Sequence, residues 1–361
     1  METNSIQPVC DVVLLSWNQV EMLEACVEQF LKYTDQPVRL MVVDNASEPK
    51  TKKYIQSLKS TAAVRIDPIF NSENLGFVGG MNVGLRASRA PIVCLLNNDT
   101  LVTPHWLSHI LAVFNANPSI GILNPNSSTF GVWPKAAESV EAVAARLAVQ
   151  HQAQPFMEIG TCIGFCMAIR RQVIEKIGHL ETTLHKFFFE DTDYCKRAKQ
   201  VGFLCGVAQQ AYVFHYEHRS FKNKKHRDFY FKQNQRLFYE KWGKPKRIVW
   251  VIQKPISEKD RQEVLALARK DHFIYALGVE EHVALLRGLH GQIMVQPTVR
   301  PPSLFKILWR VFKRRKKPYD VIVMENENRI CAWLLDLFCG ELDRWFCIST
   351  PNRTDLRGAT N

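Results

Sequence analysis

The sequence predicts an α/β protein with a mostly parallel central sheet, followed by a smaller Rossmann-like α/β domain. Three observations carry that prediction. Short apolar runs of strand length alternate with segments whose apolar residues recur at helical spacing, the pattern of βαβ units. Several runs end in Asn or Asp, at the edge where open α/β sheets bind ligands. Residues 12–15 lead to Ser16, Trp17 and Asn18; residues 39–43 to Asp44 and Asn45; residues 93–96 to Asn97, Asn98 and Asp99. Between the last two lies a glycine-rich stretch from Asn74 to Gly84, N-L-G-F-V-G-G-M-N-V-G, where a loop enters a helix and a ligand can approach backbone N–H groups.

Composition sets the bounds. With 361 residues and 46% apolar content the chain can bury a large core and divide into two domains, expected at 1–245 and 246–361. No apolar run reaches the roughly 18 residues of a spanning helix, and the start lacks signal-peptide character, so a cytoplasmic location is expected. The ten cysteines include Cys94, Cys166, Cys205 and Cys331 inside apolar segments and form no C-x-x-C pair, so they read as reduced core residues. The net charge of +12 is spread along the chain with one dense cluster, residues 313–317. Nucleic acid is not the expected partner; an anionic small substrate or a membrane surface fits.

In chain order, the first run is followed by a helix with Val20, Leu23, Val27, Phe30 and Leu31 on one face, for which Asn18 and Glu21 form a candidate capping box. Asp44 ends the second run. A carboxylate there suits a base edge or ribose hydroxyl, and equally a cap for the helix near Pro49. Residues 64–69 form a third strand, residues 104–115 a helix with proline in its first turn, and residues 120–123 another strand. A loose stretch, 124–156, is expected to position something variable such as an acceptor. Residues 159–171 read as one apolar strand containing glycines.

Phe187 begins F-F-F-E-D-T-D-Y-C, which places Glu190, Asp191 and Asp193 at the start of a helix expected from Tyr194 to Gln200. Carboxylates beside an apolar wall can supply a general base; they can also only cap the helix. His215 and His218 follow a strand-like run, and either is a candidate metal ligand or a structural histidine.

Taken in order, V-V-L-L-S-W-N, V-V-D-N-A-S, N-L-G-F-V-G-G-M-N-V-G, L-L-N-N-D-T, F-F-E-D-T-D-Y-C and F-H-Y-E-H-R-S resemble a family two glycosyltransferase of the GT-A fold, in its rhamnosyltransferase-like branch, over residues 9–243. The resemblance implies inverting transfer of a sugar from a UDP- or dTDP-linked donor to an acceptor hydroxyl, assisted by Mg²⁺ or Mn²⁺. The acceptor would be a glycan or lipid-linked sugar in bacterial surface polysaccharide or glycolipid synthesis. By the same resemblance Asp44 contacts the nucleotide, with Ser16 and Asn18 in the first loop and Asn45, Asn97 and Asn98 at the strand ends. Asn74, Gly76, Gly80 and Asn82 line the donor pocket. Asp99 is the last acid of the metal-binding D-x-D and His215 completes that site; Asp191 of the Glu190–Asp191 pair is the base. Two departures stand out: Asn97 occupies the first acidic position of D-x-D, and the usual G-x-x-D-E reads G-H-L-E-T. The rival classes are a sugar nucleotidyltransferase, for which no basic glycine loop is found near the N-terminus, and a non-catalytic carbohydrate- or nucleotide-binding scaffold.

Beyond residue 245, five strand-like runs (248–252, 273–277, 293–295, 321–324 and 345–348) alternate with helical ones and predict the second α/β domain. Leu304 to Lys317 is either a helix that lies on the inner face of an anionic membrane or one that covers this sheet.

Overall fold

The computed structural model describes residues 7–182, 188–217, 224–299, 319–324 and 345–348. Phe187, His218, Cys331 and Leu304 to Lys317 lie outside the described residues. The elements are β1 (Cys10–Ser16), α1 (Val20–Tyr33), β2 (Val38–Asp44), α2 (Pro49–Ser57), β3 (Val64–Phe70), α3 (Gly76–Ala87), β4 (Ile92–Asn97), β5 (Thr100–Val102), α4 (Trp106–Ala116), β6 (Ile120–Asn126), α5 (Val140–Gln150), β7 (Phe156–Glu158), β8 (Cys166–Arg170), α6 (Arg171–Ile177), α7 (Glu190–Gln200), β9 (Leu204–His215), α8 (Lys224–Trp242), β10 (Arg247–Ile252), α9 (Glu258–Arg269), β11 (Phe273–Val279), α10 (Glu280–Val283), β12 (Ile293–Thr298), β13 (Val321–Met324) and β14 (Trp345–Ile348). The chain divides into two compact units, residues 1–157 with 161–241, and residues 158–160 with 242–361.

The first unit is built on a sheet ordered β3-β2-β1-β4-β8-β6-β9-β5. Strands β3, β2, β1 and β4 are parallel, and β6 is parallel to β9. Strand β8 runs antiparallel to both β4 and β6, and β5 antiparallel to β9. The sheet is therefore mostly parallel, as the βαβ pattern predicts. Its central strands are buried on both faces, which explains why they read as continuous apolar runs. Val12 and Leu14 join Leu23, Phe30, Trp106 and Phe114 in one core on one side of it.

The glycine-rich stretch serves packing more than ligand approach. A Cβ on Gly80 would meet Leu15 Cδ1 at 2.4 Å, and one on Gly84 would meet Val13 Cγ1 at 2.2 Å. Those two glycines let α3 lie close on β1. Gly76, at φ 70°, has open space around it and supplies the left-handed entry to the helix.

Four local expectations are corrected. Residues 159–171 do not form one strand; only Cys166–Arg170 does. The preceding amides are taken by side chains instead of a ladder: Cys162 N donates to Cys195 Sγ, Ile163 N to Asn124 Oδ1 and Gly164 N to Asp191 Oδ2. Asn18 and Glu21 form no capping box. Gln19 is the residue at the head of α1, while Asn18 Oδ1 accepts from Glu48 N at 2.8 Å and Glu21 pairs with Lys50. Helix α4 starts at Trp106, because His105 takes a left-handed conformation at φ 61°. Helix α7 starts at Glu190, four residues before Tyr194, so the three acids belong to its first turn.

The second unit is a five-stranded parallel sheet, ordered β12-β11-β10-β13-β14. All five runs read from the sequence are strands. Ile248, Trp250, Ile274 and Val264 form its core. Within it, Arg269 grips Glu158 with both Nε and Nη2, at 2.7 and 2.8 Å.

Replacing Gly84 with Ala drives a methyl into Val13, a fully buried residue. We expect a loss of about 1–3 kcal/mol, the usual cost of overpacking, measured by urea unfolding. Val13→Ala in the same chain should recover part of it, since neighbouring substitutions couple.

Candidate functional site

The carboxyl ends of β1, β2 and β4 and the start of α3 enclose a cleft of about 470 Å³. Leu15, Trp17, Gln19, Asn45, Asn74, Gly76, Phe77, Asn97, Asn98, Asp99 and Tyr230 line it. A larger hollow of about 690 Å³ touches Val9, Pro91 and Ile92 at the opposite ends of the strands. It contains none of the predicted residues, and its Arg170 and Arg171 are committed to backbone carbonyls.

An amide network shapes one wall. Asn45 Nδ2 donates to Asn74 Oδ1 at 2.8 Å and to the Gly76 carbonyl at 3.0 Å, while Asn45 Oδ1 accepts from Asn71 Nδ2 and Leu75 N, both at 3.1 Å. Asn74 Oδ1 also accepts from Gly76 N. These side chains fix the turn into α3 and leave its glycine facing the cleft.

Ser16 and Asp44 are registered neighbours on β1 and β2 and both are fully buried. Asp44 Oδ2 accepts from Ser47 N at 3.2 Å, whereas Asp44 Oδ1 and Ser16 Oγ have no partner. A buried acceptor without a donor is costly and rare, which marks this corner as one that a ligand hydroxyl or amide would relieve. Asn18 is committed elsewhere: its N–H donates to Ser47 Oγ and its Oδ1 holds Glu48 N, tying the loops after β1 and β2 together.

Asn82 does not reach the cleft. It is buried in α3, where Nδ2 donates to the Leu180 carbonyl at 2.9 Å and Oδ1 accepts from Leu180 N at 3.0 Å. Gly80 likewise packs under Leu15.

Strand β5 pairs with β9 so that Thr100 stands opposite His215, and Asp99 comes beside the histidine. His215 Nε2 lies 3.2 Å from Asp99 Oδ1. Its Nδ1 meets Thr129 Oγ1 at 2.9 Å and its ring stacks on Phe165 at 5.1 Å, so the imidazole is fixed in place. With Nδ1 engaged, Nε2 is the nitrogen available to a cation. Two ligands about 2.1 Å from one octahedral ion stand about 3 Å apart, which the Asp99–His215 spacing matches. A carboxylate and an imidazole nitrogen so placed fit Mg²⁺ or Mn²⁺, and Asn97 and Asn98 line the same cleft.

Phe77 connects this cleft to the second constellation. A Cβ on Gly164 would stand 3.3 Å from Phe77 Cζ and 3.9 Å from Asp191 Cβ, so Phe77, Gly164 and Asp191 are packed in sequence. Asp191 Oδ2 accepts from Gly164 N at 3.1 Å; Oδ1 accepts from Thr192 N at 2.6 Å and from Thr192 Oγ1 at 3.2 Å. Burial raises its pKa while these donors oppose the rise. Glu190 differs. It is buried, its Oε2 has no partner among the described residues, and burial together with the neighbouring Asp191 charge pushes it up to about 8. Both carboxyls are therefore held above their usual range, and the unevenly placed donors favour the charged form of Asp191 over that of Glu190. Asp193 instead pairs with Arg197 at 2.8 Å and Lys241 at 2.6 Å.

The residues before this pair adopt a rare backbone. Phe188 and Phe189 both have positive φ, 73° and 71°, a conformation that costs a bulky residue about 1–3 kcal/mol.

The sequence reading missed Trp17, Gln19, Phe77, Gly164 and Tyr230 as parts of the site, and Asn71 and Thr129 as its supports. Trp17 is 52% exposed beside a strand end, and an aromatic in that place was a readable signal. Tyr230 and Thr129 come from distant segments and gave none.

The Glu190 shift has a consequence for stability. Between the unfolded value of 4.5 and the folded value near 8, the folded chain holds a proton that the unfolded chain has lost, so stability falls as pH rises through that window. Glu190→Gln should remove this fall. Its melting temperature should match wild type at pH 5 and exceed it at pH 8; equal melting temperatures at both would contradict the assignment.

The family model "Glycosyl transferase family 2" matches residues 11–178. The chain is 25% identical over 170 residues to an uncharacterized glycosyltransferase of Nostoc sp., covering 46% of this chain and 52% of that protein. It is 20% identical over 201 residues to the glycosyltransferase AglE of Haloferax volcanii, covering 55% and 64% respectively. The chain thus spans about half the length of the Nostoc relative it matches. Among solved structures, a mannosyltransferase of Pyrobaculum calidifontis in complex with GDP-Man and Mn²⁺ aligns with a TM-score of 0.49 at 15% identity, over 66% of this chain and 64% of that one. TarS of S. aureus in complex with UDP-GlcNAc aligns with a TM-score of 0.47 at 14% identity, over 64% and 66%. Among the described residues, no helix is long and apolar enough to cross a membrane. Residues 11–178, which make up most of the first unit and lie on an α/β, mostly parallel sheet, are similar to a family two glycosyltransferase.

Proposed function

We propose that this chain is a metal-dependent, inverting glycosyltransferase of hexosyl type. It would move a sugar from a nucleoside diphosphate, UDP- or dTDP-linked, to a hydroxyl of a glycan or lipid-linked acceptor in surface polysaccharide or glycolipid synthesis. The observation that carries this reading is the pairing of a fixed Asp99–His215 couple on one side of a cleft with the Glu190–Asp191 carboxyls behind Phe77, where Asp191 accepts from Gly164 N. A carboxylate held by backbone donors beside an apolar wall can serve as the general base that a hydroxyl acceptor requires.

Each residue has one task. Asp44 Oδ1 would accept a hydrogen bond from the base or ribose, and Ser16 Oγ would accept one or donate one. The Asn45–Asn74 network holds the Gly76 turn open for the diphosphate and sugar. Asp99 and His215 would hold Mg²⁺ or Mn²⁺, which when bound neutralises charge on the diphosphate. Asp191, ionised and held by Gly164 and Thr192, would accept the acceptor hydroxyl proton at Oδ1 or Oδ2. Glu190 would keep its proton and spare Asp191 a second negative charge. A membrane contact through Leu304 to Lys317 belongs to the same proposal, and its arrival at anionic vesicles should fall with salt.

Two measurements test it. Titrating UDP-, dTDP- and GDP-sugars calorimetrically should find one whose affinity drops about tenfold or more in EDTA and in Asp99→Ala, the range for damaged metal sites. Equal affinity with and without the ion contradicts the metal role. With that donor, Asp191→Asn should bind normally yet lose about 10²- to 10⁴-fold in turnover. Normal turnover by Asp191→Asn would remove it as the base.

A further inference from the structure

Phe188 and Phe189 sit in the left-handed backbone region, which bulky side chains avoid unless neighbouring structure holds them there. Helix α8 supplies that hold. Phe231 meets Phe188 edge-on at 5.5 Å and Phe189 at 5.3 Å, and Phe238 stacks on Phe189 at 5.1 Å. Nδ2 of Asn234, a fully buried residue, donates to the Phe188 carbonyl at 3.3 Å. Lys241 Nζ reaches Asp193 Oδ1 at 2.6 Å. Positions 231, 234, 238 and 241 follow helical spacing, so one continuous face of α8 grips the entry and first turn of α7. Beside that face, Tyr230 lines the cleft that also contains Asp99.

We infer that α8 is a positioning clamp: it forces the Phe188–Phe189 backbone into the turn that starts α7 at Glu190 and so sets Asp191 against Gly164 behind Phe77, while Tyr230 on the same helix touches the bound nucleotide sugar. The inference rests on the reading of Asp191 as the base. The helix macrodipole and the side-chain donors at Gly164 and Thr192 hold the charge once Asp191 is placed. They do not set the direction from which α7 begins. That direction is set by two φ angles that glycine would adopt freely and phenylalanine adopts only under constraint. Phe231, Asn234 and Phe238 are accordingly positioning residues, and Tyr230 alone on this helix is a substrate contact.

The test uses the full chain and Phe231→Ala, a substitution at a residue 41% exposed and therefore compatible with folding. Hydrogen–deuterium exchange is measured without ligand. Amides of residues 190–193 should exchange about tenfold faster or more than in wild type, with the α5 amides unchanged. Turnover with the donor found above should fall on the order of 10²-fold at constant KM, the cost of a small misplacement, and Phe231→Tyr should restore both readouts. Tyr230→Ala should give the opposite signature, a raised KM with normal exchange at 190–193. Unchanged exchange at 190–193 in Phe231→Ala overturns the clamp, and a wild-type KM in Tyr230→Ala removes Tyr230 from the site. Should wild type transfer no sugar at all, the functional reading fails, while the exchange result still decides the clamp.

Discussion

Glu190 is buried and Asp191 beside it half-buried, so the two cannot ionise together without an electrostatic cost. Burial takes water from both, and each charge raises the cost of the other. The surroundings resolve the conflict unevenly. Asp191 receives three hydrogen bonds from Gly164 and Thr192, whereas Glu190 Oε2 receives none. Much of the nearby irregular structure follows from supplying those donors. The loop before β8 leaves the ladder where Gly164 N donates to Asp191, and Phe77 stands close against Gly164, 3.3 Å from where a Cβ would lie.

The Asp99–His215 couple is likewise positioned by its surroundings. Asp99 and His215 are far apart in sequence, and the short β5–β9 pairing brings them to 3.2 Å. The histidine is held by stacking on Phe165 and by Thr129, so its orientation does not depend on the ion.

Most of the strand framework was legible in the sequence because buried parallel strands are continuous apolar runs, and all five runs of the second unit became strands. The strand ends bearing Asp44, Asn45, Asn97, Asn98 and Asp99 were legible for the same reason. Side-chain service to distant backbone was not. Asn82 looks like a pocket residue from its glycine-rich setting, yet it pairs with Leu180, nearly a hundred positions away. Residues 160–165 look like strand because their composition is apolar, but their amides are claimed by Cys195, Asn124 and Asp191. The left-handed Phe188 and Phe189 contradict local propensity altogether, and only tertiary contacts from α8 account for them.

The central claim is a single displacement in which Asp191 deprotonates the acceptor on the face opposite the departing diphosphate. The anomeric configuration of the first-formed product tests it most directly, read by proton NMR before mutarotation or further transfer can intervene. Inversion, a β-linked product from an α-linked donor or the reverse, is the predicted result; retention of the donor's configuration would contradict it.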